Sequence, residues 1–137
     1  MNVLQQTPEF IKYFTRWASE QPDILAVALV GSHARGTARV DSDVDLVIIS
    51  EVPQKYLAHT AWAKSFGVIA KEQIEDYGML ISLRIWYEGG LEIEYGFTTS
   101  AWTATPLDAG TKEVIKGGIK ILFERTALLS PHVTKGV

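Results

Sequence analysis

Val30-Gly31-Ser32-His33-Ala34-Arg35-Gly36 and, after residues 37–41, Ser42-Asp43-Val44-Asp45-Leu46 form the stretch whose reading decides this chain. The first half ends a continuous apolar run, residues 24–30, as expected of a buried strand. Gly31 interrupts that strand and lets backbone approach a ligand closely. Residues 32–38 are suited to a short helix, whose first N–H groups are unpaired and point outward as an anion seat. Ser32 adds a hydroxyl. In the second half, Asp43 and Asp45 stand two apart at the head of a strand that turns apolar at Leu46-Val47-Ile48-Ile49. Strand residues two apart project from one face, so both carboxylates meet on one side. Such a pair is costly without a cation. Oxygen-only ligands suit Mg²⁺ or Mn²⁺, which also bind substrate phosphates.

Working outward, residues 8–19 place Phe10, Ile11, Phe14, Trp17 and Ala18 at helical spacing, with Thr7 as N-cap and Pro8 at the first helical position. Residues 53–66 read as a helix or helical loop with Tyr56, Leu57, Ala61 and Trp62 turned inward. Residues 79–87 and 91–97 suit a hairpin about Glu88-Gly89-Gly90. Residues 106–116 suit a helix closed by Gly117-Gly118, and residues 119–123 a last strand. The expected fold class is α/β (α+β): a mixed sheet of about five strands with helices packed on it. One domain, residues 1–129, is expected, with residues 130–137 as a loose tail.

The spacing Gly-Ser, ten residues, Asp-X-Asp resembles the signature of the minimal nucleotidyltransferases of the DNA polymerase beta superfamily. The likeness extends to Ala34-Arg35-Gly36-Thr37-Ala38, Ser42 and Leu46. It implies the nucleotidyltransferase fold, a nucleoside triphosphate (ATP above all) seated on Gly31 and Ser32 with Arg35 and Ser42 nearby, and Mg²⁺ or Mn²⁺ held by Asp43 and Asp45. It also implies a third acid on the strand after the hairpin, to share a metal or take the acceptor proton. Leu91-Glu92-Ile93-Glu94-Tyr95 puts Glu92 and Glu94 on one face. Counting from Gly90, as in relatives of the aminoglycoside adenylyltransferase type, favours Glu94 over Glu92, although Glu replaces the commoner Asp. The catalytic and metal set so implied is Asp43, Asp45 and Glu94.

Simpler roles compete at single positions. Gly31 can be only a helix-entry turn, Ser32 only an N-cap, and Arg35 a structural ion-pair donor. Asp41 suits a turn or solvent. His33 reads as an ordinary exposed or hydrogen-bonded residue. Arg84 balances the acids, holds a phosphate, or serves as a structural ion pair. Asp108 or Thr111 suits a cap, Lys112 and Lys116 a solvated face, and Trp62, Trp86 and Trp102 the core.

Composition bounds the function. The chain has 137 residues, an ordinary globular balance and no cysteine, which removes disulfides and thiolate metal sites. A net charge of -3 argues against a broad surface for long nucleic acid. No apolar run approaches a membrane span and the start lacks a signal pattern, so the expected location is cytoplasmic. The expected reaction is transfer of a nucleoside monophosphate, AMP from ATP, to an acceptor hydroxyl on a small molecule such as an aminoglycoside-like antibiotic. Two alternatives stand beside it: an antitoxin-type adenylyltransferase modifying a partner HEPN toxin, and a non-catalytic nucleotide-binding module. Residues 126–137 are too few for an acceptor-binding helical domain. A homodimer or a helical partner is therefore expected, using Trp86, Tyr87, Tyr95, Phe97 and Trp102 as interface.

Overall fold

A computed structural model describes residues 7–39 and 42–133. Asp41 lies outside the described residues. A six-stranded mixed sheet forms the centre: β1 (Ile24–Val30), β2 (Val44–Ser50), β3 (Ile69–Asp76), β4 (Ile81–Tyr87), β5 (Glu92–Thr98) and β6 (Ile119–Glu124), in the order β3-β4-β5-β2-β1-β6. β2 and β5 run parallel, and the other neighbours are antiparallel. The helices are α1 (Thr7–Ser19), α2 (Ser32–Arg35), α3 (Gln54–Ala58), α4 (Ala109–Lys116) and α5 (Ser130–Val133).

Alternation along the strands assigns two faces. Val27, Leu29, Val44, Leu46, Ile48, Leu83, Ile85, Ile93 and Tyr95 join the larger core with Phe10, Phe14 and Ala18 of α1 and Phe66 of the 3₁₀ turn Ala61–Phe66. The spacing of four between the α1 residues lines them along one stripe. Full burial of each of these large apolar side chains is worth about 1.5–3 kcal/mol. Rings meet there at close range: Trp17 stacks on Trp62 at 5.2 Å, and Tyr56 on Phe97 at 5.5 Å. Inside the same core, Tyr87 donates to the Ala63 carbonyl at 2.8 Å and lies 2.8 Å from the Tyr95 hydroxyl. The other face carries Ala26, Ala28, Val47 and Ile49 in a smaller cluster with Trp102 and Leu129.

Several expectations change. The sheet has a sixth strand, β3, which periodicity missed because Ile69-Ala70-Lys71-Glu72-Gln73-Ile74-Glu75-Asp76 does not alternate and stands mostly exposed at the sheet edge. Edge strands need little apolar surface and use charge to discourage further pairing. The turn after β3 is a local one: Asp76 Oδ1 accepts from the Gly78 N–H at 2.8 Å, and Gly78 has φ +88°. Residues 53–66 form α3 and a separate 3₁₀ turn rather than one helix, and Ala61 is exposed. Residues 106–108 precede α4, which Asp108 caps by accepting from the Thr111 N–H at 2.7 Å. Thr7 lies within α1 rather than capping it.

Structure continues into the stretch read as a tail. Leu129 is fully buried, Ser130–Val133 is a helical turn, and His132 Nε2 lies 3.0 Å from the Thr103 carbonyl. Residues 134–137 are outside the described residues. The aromatic interface is also corrected. Tyr87, Tyr95, Phe97 and Trp102 are all buried within the chain, and only Trp86 is half-exposed. A sheet covered on both faces consumes more aromatic surface than a single-sided core would.

Candidate active site

Asp45 and Glu94 are level on the parallel pair β2–β5, and Arg84 is level with Glu94 on β4. Level residues on adjacent strands share a face. The face opposite the larger core therefore receives Asp45, Glu92, Glu94 and Arg84 together, while Asp43 reaches it from the loop ahead of β2. Carboxylate oxygens of Asp43, Asp45 and Glu94 all lie within 4.8 Å of one another. These are the three acids expected to converge. Glu92 stands outside the group: its Oε2 accepts from Arg84 Nε at 2.9 Å.

Arg84 is the hub of this face. Besides Glu92 it meets Glu75 at 3.3 Å, Asp43 at 3.5 Å and Glu94 at 3.6 Å. Of the three roles open to Arg84, its contacts are those of an ion pair that balances the acids. Glu75 was not anticipated, because it comes from the missed strand β3. The hydroxyls of Ser82 and Tyr77 each donate to Glu94 Oε1 at 3.3 Å, and Tyr77 also donates to Glu75 at 2.9 Å. The Tyr77 phenol is pushed up to about 12, chiefly by its bond to Glu75, so it remains a donor.

Asp45 is the most strained member electrostatically. Burial pushes its carboxyl up to about 8, and hydrogen bonding and repulsion from Asp43 and Glu94 act in the same direction. Its Oδ1 is buried without a hydrogen-bond partner. An orphaned carboxylate oxygen flanked by two further carboxylates fits a hard divalent cation, which supplies both the missing ligand and the missing charge.

Gly31 enables this placement. It has φ +73°, and a Cβ there would stand 2.5 Å from Asp45 Oδ2. The glycine therefore makes room for the carboxylate as well as entering the helix. Gly31, rather than Ser32, is the N-cap of α2, and no side chain caps that end. Ser42 Oγ accepts from the Arg39 N–H at 2.8 Å and closes the loop before Asp43. His33 Nε2 lies 3.4 Å from the Ser42 carbonyl, a loop contact in keeping with the ordinary role read for it. Among the described residues Arg35 forms no acid pair: it donates to the Gly117 carbonyl at 3.1 Å and packs over Gly118. Lys112 and Lys116 are exposed on α4.

Three convergent carboxylates on one face of the central strands, beside a strand–glycine–helix turn, are the site of a nucleotidyltransferase domain able to hold a metal. Residues 11–94 match the family model described as "Nucleotidyltransferase domain", ending on Glu94, and the chain belongs to that family. Among solved structures, it is similar to an aminoglycoside 6-adenyltransferase from Bacillus subtilis, with a TM-score of 0.56 and 17% identity. The match covers 72% of this chain and 36% of that one, so this chain spans about a third of its length. No curated protein sequence matches. Among the described residues, no helix is long and apolar enough to cross a membrane.

Proposed function

We propose that the protein transfers AMP from ATP, with Mg²⁺ or Mn²⁺, to a hydroxyl of a small acceptor such as an aminoglycoside-like compound. The observation that carries this is the convergence of Asp43, Asp45 and Glu94 beside Gly31, with one Asp45 oxygen unpartnered. Asp43, Asp45 and Glu94 would hold the metal, which when bound supplies positive charge to the α-phosphate and the leaving pyrophosphate. The phosphates are assigned to the Gly31–Ser32 turn, with Ser42 and Arg35 of the same motif beside it. The acceptor oxygen attacks the α-phosphorus in line, its bond to phosphorus forms as the bond to the bridging oxygen breaks, and pyrophosphate departs. Glu94 takes the acceptor proton. Ser82 and Tyr77 hydroxyls at 3.3 Å from its Oε1 hold the carboxylate in place beside Asp45.

Arg84 keeps the acids poised. With Asp43, Glu75, Glu92 and Glu94 around one guanidinium, the face retains an excess of negative charge that draws in a divalent cation. The acid-rich face also supports a cationic acceptor. The test is incubation with each α-labelled nucleoside triphosphate, Mg²⁺ and a panel of hydroxylated acceptors including aminoglycosides. Labelled acceptor and released pyrophosphate in equal amounts, with ATP preferred, is the expected result. Failure to label any acceptor with any of the nucleotides would refute the reading.

A further inference from the structure

The acid-bearing face carries a groove that the chemistry above leaves unused. A cavity of about 200 Å³ starts at Val30, Asp45 and Glu94 and is bounded by Tyr77, Leu80 and Val114. A second cavity, of about 140 Å³, shares Tyr77, Leu80 and Val114 and continues to Asp108 and Thr111 at the start of α4. Joined through the shared residues, they reach the lower end of the range for small-molecule sites, about 300 Å³.

Thr111 gives this groove an unsatisfied polar group. Its residue is 1% exposed, and its hydroxyl has no hydrogen-bond partner. Buried hydroxyls nearly always have one, so the exception calls for an occupant. The neighbouring Asp108 carboxylate accepts from the Thr111 backbone N–H through Oδ1 and makes no bond to the Thr111 hydroxyl. The remaining walls are the apolar Leu80 and Val114 and the exposed ring of Tyr77, whose hydroxyl is tethered to Glu75 and Glu94.

We propose that this groove holds the nucleobase of the nucleoside triphosphate, with the Thr111 hydroxyl bonded to the base edge. The inference rests on the nucleotidyl-transfer reading, which seats the phosphates at Gly31–Ser32 and the α-phosphate at the acids. The groove opens beside that seat, at Val30 and Asp45, and leads away from it. A flat heteroaromatic ring asks for apolar surface on its faces and one or two hydrogen-bonding groups at its edge. An amino sugar would meet mostly apolar walls there, with Asp108 at the far end as the one carboxylate beyond the acid cluster among the lining residues.

Calorimetric titration of the whole chain with ATP and with inorganic tripolyphosphate, both in Mg²⁺, tests this. Wild type should bind ATP more tightly than tripolyphosphate. Thr111→Val should weaken ATP about three- to tenfold, the loss of one hydrogen bond, and leave tripolyphosphate unchanged. Thr111→Ser should restore ATP binding, and Val114→Phe, which fills the groove, should weaken ATP alone. Equal wild-type affinity for the two ligands overturns the inference, as does unchanged ATP affinity in Thr111→Val and Val114→Phe, or a parallel loss of both ligands in each. A wild-type chain that binds neither ligand overturns the nucleotidyl-transfer reading itself.

Discussion

Asp45 on β2 and Glu94 on β5 are register partners across the only parallel strand pair among the described residues. Their carboxylates stand on one face because the register is level, and a shift of one residue would send Glu94 into the larger core. The acid cluster is thus a property of strand pairing, and the pairing is held by Ile93, Tyr95 and Phe97 buried on the opposite face.

Metal-free stability should fall as pH rises. The Asp45 carboxyl titrates near 3.8 when unfolded and at about 8 in the native state. Between those values the native state holds a proton that the unfolded chain has released, so stability is full below about pH 4 and is lost as pH climbs through 8. Mg²⁺ should reverse the trend, because its ligands bind best deprotonated. Thermal melts from pH 5 to 9, with EDTA or with Mg²⁺, measure this. Asp45→Asn should flatten the metal-free profile while removing transfer. A wild-type profile as flat as that of the variant would contradict the assignment.

Glu94→Gln should reduce turnover at least about a hundredfold, the scale of losing a group that acts on transition-state charge. Glu92→Gln should cost far less, since Glu92 lies outside the acid group and serves Arg84. Steady-state rates of pyrophosphate release compare them. Equal losses would make the two acids interchangeable and the register argument wrong.

Gly31→Ala should damage both activity and fold. Its φ of +73° and ψ of -153° belong to glycine, and the new methyl would stand 2.5 Å from Asp45 Oδ2. A loss of about 1–3 kcal/mol in urea unfolding is expected, together with weakened Mg²⁺ binding by titration. Wild-type Mg²⁺ affinity in this variant would show that Asp45 needs no room at Gly31.

Tyr87→Phe should destabilise more than Tyr95→Phe. Tyr87 donates to the Ala63 carbonyl, which leaves Tyr95 to donate to Tyr87. Losing the Tyr87 hydroxyl strands both a donor and an acceptor in the core, at about 1–3 kcal/mol. Losing that of Tyr95 removes one bond and leaves the Tyr87 donor satisfied. Chemical denaturation ranks the pair, and the reverse order would mean the proton runs the other way.

Much of the site was legible because it is local. Gly31, Asp43 and Asp45 lie on one strand–turn–strand segment, where apolar runs and period-two alternation announce burial and shared faces. Glu94 was reached only through the family resemblance, by its offset from Gly90, because alternation puts Glu92 on the same face and does not separate the two. The edge strand β3 was not legible. Without a buried face it carries no alternation, and Glu75, which joins the Arg84 hub, went unseen with it.

By itself, then, the sequence determined the strand-and-helix class, the acid pair and the glycine turn, all set by neighbours within a few residues. Tertiary structure decided what covers each face. It drew Tyr87, Tyr95, Phe97 and Trp102 into the core rather than onto an interface, took Arg35 to Gly117, and gave Gly31 a second task in making room for Asp45. A pattern of residues tells which side of a strand is apolar, but contact between segments distant in sequence depends on register and packing. Those are settled only when the whole sheet closes around its two cores.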